Sequence, residues 1–176
     1  MSFPSKRYFL LNKPKGYICS TKDEEYPSAL NLLQLANTDK LHFAGRLDAD
    51  TTGLVLISDD GQWTHRITSP KYKHVKVYLV LLDSHITKEM IGKFEKGVVL
   101  NDSTKPTEPA QVQVIDPNKI KLSIAEGRYH QVKRMLAAVG NHVVDLHRES
   151  IGRIKLDDSI ELGKWRELDS TEIKHF

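Results

Sequence analysis

Apolar positions along this 176-residue chain fall into short blocks separated by polar turns that carry glycine and proline. Residues 7–12 (RYFLLN) are dense in aromatic and aliphatic side chains and stop at Lys13-Pro14-Lys15-Gly16, which predicts a strand running into a turn. Residues 28–35 put apolar side chains at helical spacing behind a capping serine, so a helix is predicted there. Residues 41–44 and 53–58 (GLVLIS) read as two strands around a polar turn, and residues 62–68 as a short helix with Asp60 at its cap. Residues 75–83 (VKVYLVLLD) form a dense apolar run that predicts a buried strand. Thr87 begins a helix with Met90, Ile91 and Phe94 on one face and Gly97 at its end. Residues 110–115 and 120–125 alternate apolar and polar around Asp116-Pro117-Asn118-Lys119, the pattern of a hairpin. Residues 129–139 are the clearest helix, with Val132, Met135, Leu136 and Val139 on one stripe and Gly140 as the stop. Strand-like pieces at 142–146 and 153–156 and a polar tail complete the chain. Hairpin-type strands alternating with a few helices predict an α+β fold, its sheet mixed and mostly antiparallel and flanked by helices.

Composition narrows this picture. The chain is 39% hydrophobic and 28% charged, outside the disordered range. It has no apolar run of the ~20 residues that a membrane helix needs, and its start lacks the pattern of a signal peptide. One cysteine, Cys19, fits a reducing compartment and reads as a packing thiol near a strand end. A cytoplasmic, monomeric, single-domain protein over residues 1–176 is expected. The net charge of +3 conceals an uneven distribution: residues 1–22 and 62–82 together hold nine Lys and Arg and no Asp or Glu. Such stretches would attract a polyanion if they met on one face, or could be ordinary solvated loops.

Several chemistries lack their motifs. The sequence contains no phosphate-binding P-loop, dinucleotide glycine pattern, C-x-x-C or H-E-x-x-H, and its eight histidines have only loose spacings. No metal and no cofactor is expected. Two elements remain. Asp48 occupies a polar turn, Gly45-Arg46-Leu47-Asp48-Ala49-Asp50-Thr51-Thr52-Gly53, between apolar strands. A carboxylate there can be kept ionised by a nearby cation and act as a nucleophile, or can simply hydrogen-bond its own turn. The stretch Glu126-Gly127-Arg128-Tyr129-His130-Gln131-Val132-Lys133-Arg134 leads into the amphipathic helix and leaves His130, Lys133 and Arg134 off its apolar stripe. Those cations are either solvated or partners of a carboxylate and of phosphates.

The turn at 45–53 resembles the signature G-R-L-D-x-D-[ST]-x-G of the pseudouridine synthases. Asn12-Lys13-Pro14-Lys15-Gly16 resembles their K-P-x-G motif, Lys76-Val77-Tyr78 their K-x-Y motif, and residues 126–134 their E-G-R-x-x-Q-[VI]-[KR]-R motif. The order is that of the family, and the matches span about residues 7–155. Residues 51–70, 127–140 and 146–152 are most similar to the RsuA type, which modifies a uridine in small-subunit ribosomal RNA. The resemblance implies the pseudouridine synthase fold and an isomerase that converts uridine to pseudouridine without a cofactor. Its partner would be ribosomal RNA or a ribosomal subunit assembly intermediate. Members of this branch carry an S4-type RNA-binding domain before the K-P-x-G strand. The expectation here is therefore a catalytic domain without it, residues 1–6 being an extension or linker remnant.

The resemblance also implies roles. Asp48 is the catalytic carboxylate, attacking ribose C1′ or removing the C2′ proton. Lys133 is its basic partner, and Tyr78 stacks on the flipped base. Arg46 fills the vacated stack or grips a phosphate. Lys13, Lys15, Lys76, Arg128 and Arg134 are RNA contacts. The rival readings are a related synthase acting on large-subunit ribosomal RNA, a non-catalytic RNA-binding or ribosome-assembly module, and an N-glycoside hydrolase using Asp48.

Overall fold

The computed structural model describes residues 5–101 and 103–176, which form two compact units. One runs through the chain up to Tyr72 and takes in Gly152–Phe176; the other is Lys73–Ile151. Of the expected extension 1–6, residues 1–4 lie outside the described residues, and Ser5 and Lys6 are exposed. Among the described residues no helix is long and apolar enough to cross a membrane.

The first unit is built around β1 (Tyr8–Lys13), β2 (His42–Phe43) and β3 (Thr52–Ser58). β3 pairs antiparallel with both neighbours, with Tyr8 opposite Ser58 and Lys13 opposite Gly53 at the two ends of the β1 register. Every residue of β3 is buried, as is every residue of β1 after Tyr8, which explains their unbroken apolar runs: a strand covered on both faces has no polar side to alternate with. α1 (Gly61–Thr68) follows, capped as expected by Asp60, whose side chain accepts from Trp63 N at 3.2 Å. The other oxygen of Asp60 accepts from the Tyr8 hydroxyl at 2.5 Å. That hydrogen bond holds the carboxyl below its ordinary pKa, while burial and the same carboxylate push the Tyr8 phenol up to about 12. The segment predicted as a helix at 28–35 is a 3₁₀ turn, Ala29–Leu33, with Ser28 capping Leu30 N. Gln34 adopts φ 53° and ends it before a full α-helical turn can propagate.

The second unit contains β4 (Lys76–Leu82), α2 (Lys88–Lys96), β5 (Gln111–Asp116), β6 (Lys119–Ile124), α3 (Gln131–Ala138) and β7 (Val143–Ile151). Its strands run in the order β5-β6-β4-β7, each pair antiparallel. The predicted hairpin is present, with Asp116 opposite Lys119, although β5 is largely exposed and Val114 is half-exposed in spite of the alternation. Thr87 and Gly97 delimit α2 as predicted. Gly97 has φ 97°, and a Cβ there would lie 2.2 Å from the Thr107 carbonyl oxygen, so no other residue fits. α3 starts two residues later than its apolar stripe suggested, because His130 is left-handed at φ 50° and breaks the helix behind it. The strand expected at 142–146 extends through Ile151.

Chain continuing into β8 (Ile154–Lys155), β9 (Trp165–Glu167) and α4 (Ser170–Ile173) returns to the first unit. The tail read as merely polar is thus structured: β9 pairs antiparallel with β1, placing Arg166 opposite Leu10. Three- and four-residue elements are too short to show periodicity, and their order comes from side-chain ties. The Arg166 guanidinium donates to both oxygens of Asp157, at 2.6 and 3.2 Å, and to both of Glu172, at 2.7 and 2.8 Å. Glu172 also closes a capping box with Asp169, the Trp63 indole donates to Ile173 O at 3.0 Å, and Arg66 donates to Phe176 O at 3.0 Å.

The hydrogen bonds from Arg166 hold Glu172 below its ordinary pKa of 4.5, so this stabilisation is present above that pH and is lost as the carboxyl protonates. Arg166→Ala is expected to lower stability at pH 7 by about 1–3 kcal/mol, the range for charge-assisted hydrogen bonds that keep some solvent contact. In urea denaturation of both proteins, the gap should narrow as pH falls below 4.5; a gap independent of pH would refute the assignment.

Candidate active site

Asp48 sits in the connection between β2 and β3, and four hydrogen bonds, three of them between backbone groups, define its course. Ala44 N donates to Leu56 O at 2.8 Å as the chain leaves β2, and Gly45 turns it at φ 95°. Leu47 N donates to the Cys19 sulfur at 3.4 Å, Thr51 N closes the turn on Asp48 O at 3.0 Å, and Gly16 N donates to Ala49 O at 2.9 Å. Ala44 and Leu47 are buried, Asp48 is half-buried and Arg46 is exposed, so the tight turn pins its apolar residues inward and presents the arginine. Cys19 is buried as expected, but it is more than filler, since it holds one of the backbone amides of this turn.

The K-P-x-G stretch meets the Asp48 turn through that Gly16–Ala49 bond. Lys15 is exposed. Lys13 departs from the role of phosphate contact: it is fully buried, and its ammonium donates to the carbonyls of Pro14 and Tyr17, both at 2.8 Å. An ammonium surrounded by its own loop has no face to offer a phosphate. Burial pushes its pKa down, and Cys19, Asp50 and Asp48 act in the opposite direction, which sets the Asp48 carboxylate within the electrostatic reach of this cation.

In the second unit Tyr78 is a buried residue of β4, 8% exposed, with Leu122 of β6 on one side and Arg148 of β7 on the other. The β4–β7 register slips between Val77 and Tyr78, skipping Glu149. That bulge lets Arg148 and Ile151 both point inward, although an unbroken strand would put them on opposite faces. Arg148 is 2% exposed and was given no role from sequence. Its signal was present: it shares the inward phase of Leu146 two positions earlier. Lys76 is half-buried and donates to Glu126 O at 3.3 Å. Burial lowers its pKa, the Arg148 charge lowers it further, and Glu126 opposes both.

The E-G-R-x-x-Q segment is an internal clamp. One Glu126 oxygen accepts from Glu108 N at 2.7 Å and from the Gln131 amide at 3.0 Å, and the other accepts from Arg128 Nε at 3.2 Å. Arg128 goes on to donate to Lys105 O and Pro106 O, at 3.1 and 2.9 Å. All of its donating atoms named here serve the fold, in contrast with its expected role as a phosphate contact. Lys133 and Arg134 are half-buried on α3, and Arg134 donates to Tyr129 O at 3.0 Å.

Comparisons with known proteins agree with these motifs. Residues 7–138 match the RNA pseudouridylate synthase family. The chain is 56% identical over 167 residues to ribosomal small subunit pseudouridine synthase A of Escherichia coli strain K12, covering 95% of this chain and 72% of that protein. It is 49% identical over 168 residues to the protein of the same name from Haemophilus influenzae, covering 96% and 72%. A crystal structure of a pseudouridylate synthase superposes with a TM-score of 0.93 at 48% identity, over 98% of this chain and 74% of that one.

The two lysines of the K-P-x-G stretch should separate cleanly. Lys13→Met removes both hydrogen bonds to buried carbonyls and is expected to destabilise by about 2–4 kcal/mol. Lys15→Met, at an exposed position, should stay within about 0.5 kcal/mol of the wild type. Denaturant titration of the two variants checks this, and equal losses would contradict the burial argument.

Proposed function

This chain belongs to the RNA pseudouridylate synthase family, and on that premise we propose that it isomerises a uridine to pseudouridine in small-subunit ribosomal RNA. The ribosomal target is supported by the names of its Escherichia coli and Haemophilus influenzae relatives. The reading makes it a cytoplasmic enzyme acting on ribosomal RNA or on an assembling subunit.

The reaction breaks the N1–C1′ bond, turns the base and joins C5 to C1′; C5 gives up one proton to solvent and N1 takes one up, so the formula is unchanged. A uridine within folded RNA must first leave its stack. Asp48 then acts on the ribose as an anion, either attacking C1′ or taking the C2′ proton, and both routes need it ionised. The observation that carries this reading is the bracing of its turn. The Gly16–Ala49 and Leu47–Cys19 hydrogen bonds fix the turn, and the buried Lys13 ammonium lies within electrostatic reach of Asp48. Lys133 is retained as the basic partner of Asp48 on its match to the family motif.

Tyr78 supplies the aromatic face for the extruded base, its ring held by neighbouring strands on both sides. Arg46, exposed at the head of the catalytic turn, fills the vacated stack or holds a phosphate, and Lys15 and Arg134 are further phosphate contacts. Lys13 and Arg128 become positioning residues, the first for the Asp48 turn and the second for the entry to α3. Lys76 lies close to Arg148 and is retained as an RNA contact on its match to the K-x-Y motif.

Release of tritium from small-subunit ribosomal RNA labelled at uridine C5 tests the proposal. Wild-type protein should release it, and Asp48→Asn should slow release at least about a thousandfold, the scale seen when an acting nucleophile is removed. Full turnover by Asp48→Asn would overturn the mechanism. Free uracil as product would indicate hydrolysis instead, and no release from any ribosomal RNA would indicate a binding module. A carbodiimide-dependent reverse-transcription stop locates the modified base and separates small- from large-subunit targets.

Tyr78→Phe keeps the ring and should retain base binding, whereas Tyr78→Leu should lose about tenfold or more in apparent affinity for RNA as well as turnover. Equal affinity in the two variants would remove the stacking role.

A further inference from the structure

Tyr129 is 75% exposed, the most exposed of the large hydrophobic side chains among the described residues. A tyrosine ring carries a large apolar face, and one this open offers that face to a partner. Its ring is already ordered: it lies on the His130 imidazole with centroids 3.8 Å apart and planes inclined by 24°. The backbone beneath is held against its own preference. His130 is left-handed at φ 50°, a conformation that disfavours a residue with a side chain and persists where the surroundings impose it. Those surroundings are visible on both sides. Arg128, just before the pair, is anchored to Lys105 O, Pro106 O and Glu126. Just after it, Gln131 N bonds Arg128 O at 3.1 Å and Arg134 N bonds His130 O at 3.0 Å.

From this we infer that Tyr129 and His130 form a second base-stacking platform, taking an unpaired nucleotide of the substrate RNA other than the uridine being isomerised. The inference rests on the proposed RNA substrate and deepens it. A flat aromatic face is sequence-tolerant toward nucleobases, each of which has a π-face to offer. The rings are preorganised, so the ordering of the protein partner is complete before binding. Cationic character adjoins the pair in the chain, since Arg134 donates to the Tyr129 carbonyl at 3.0 Å. Extruding one uridine also unstacks its neighbours, which creates the ligand that such a platform takes.

Binding of the full chain to transcribed small-subunit ribosomal RNA, measured by filter retention across a range of KCl, tests the inference alongside tritium release. Tyr129→Ala should bind about tenfold more weakly, and Tyr129→Phe should bind like the wild type, because the ring and not the hydroxyl does the stacking. Stacking displaces no counterions, so plots of log affinity against log salt for wild type and Tyr129→Ala should be parallel. Affinity of Tyr129→Ala within twofold of the wild type overturns the platform, as does a salt slope reduced by a whole phosphate contact. Failure of Tyr129→Phe to restore binding overturns it too, pointing to the hydroxyl. Tritium release by the wild type reports separately on the isomerase reading, so the two can fail independently.

Discussion

A buried ammonium governs the shape of the first unit. Taking a lysine out of water carries a penalty of several kcal/mol unless its donors are satisfied. The Lys13 side chain has no exposed surface, so the chain beyond β1 has to supply oxygens. It does so by turning back at Pro14 and delivering the carbonyls of Pro14 and Tyr17. The same turn presents Gly16 N to Ala49 O, and the β1–β3 register sets Lys13 opposite Gly53 at the other end of the Asp48 loop. One desolvated charge thus braces the only segment in which the reacting carboxylate is proposed to lie. The proline of the motif limits the turn, the glycine donates the bracing amide, and the lysine makes the arrangement obligatory.

The second unit applies a related device with the signs shared out differently. Arg148 and Lys76 lie close enough for one to lower the pKa of the other, a repulsion that would open a strand pair without compensation. Glu126 supplies that compensation, its field opposing both effects on Lys76 and its carbonyl accepting from the ammonium. Its carboxylate is simultaneously gripped by Glu108 N, Gln131 and Arg128. The spacing of glutamate, arginine and glutamine in this motif therefore has a structural origin: all three must converge on one carboxylate before the first turn of α3. The β-bulge at Tyr78 belongs to the same arrangement, because it directs Arg148 inward beside the ring.

Apolar patterning made most of the fold legible, because β1 and β3 are unbroken apolar runs and α2 and α3 each carry an apolar stripe at helical spacing. What it missed was held by side-chain chemistry. β9 and α4 are too short to have a period, and they are ordered by Arg166 between two carboxylates. The 3₁₀ turn at Ala29–Leu33 differs from a helix only through one left-handed residue beyond it. For the site, sequence motifs pointed to Asp48, Tyr78 and the E-G-R-x-x-Q segment as candidates, but residue type alone could not divide the cations between surface and interior. Lys13 and Lys15 look alike in sequence, and one is buried while the other is exposed. Arg148 was overlooked because a charged residue in a strand is ordinarily taken to face water, and only its phase with Leu146 says otherwise.

That division changes what the net charge of +3 means. Of the nine cations in the two acid-free stretches, at least five are committed within the fold. Arg7 bonds Ala36 O, Asn37 O and Asp59, Lys13 bonds its own loop, and Arg66 bonds Phe176 O, while Lys73 pairs with Glu108 and Lys76 bonds Glu126 O. Lys6, Lys15, Lys22 and Lys71 are exposed. Exposed cations attract a polyanion through solvent, and salt weakens them within a screening length of about 10 Å at 0.1 M. A buried cation such as Lys13 acts on a carboxylate through the protein interior, where mobile ions do not enter. Ionic strength should therefore bear on capture of the RNA through the exposed set. A chain with only a slight positive excess can in this way brace the Asp48 turn from inside with one cation, Lys13, and still present others to a polyanion without being strongly basic overall.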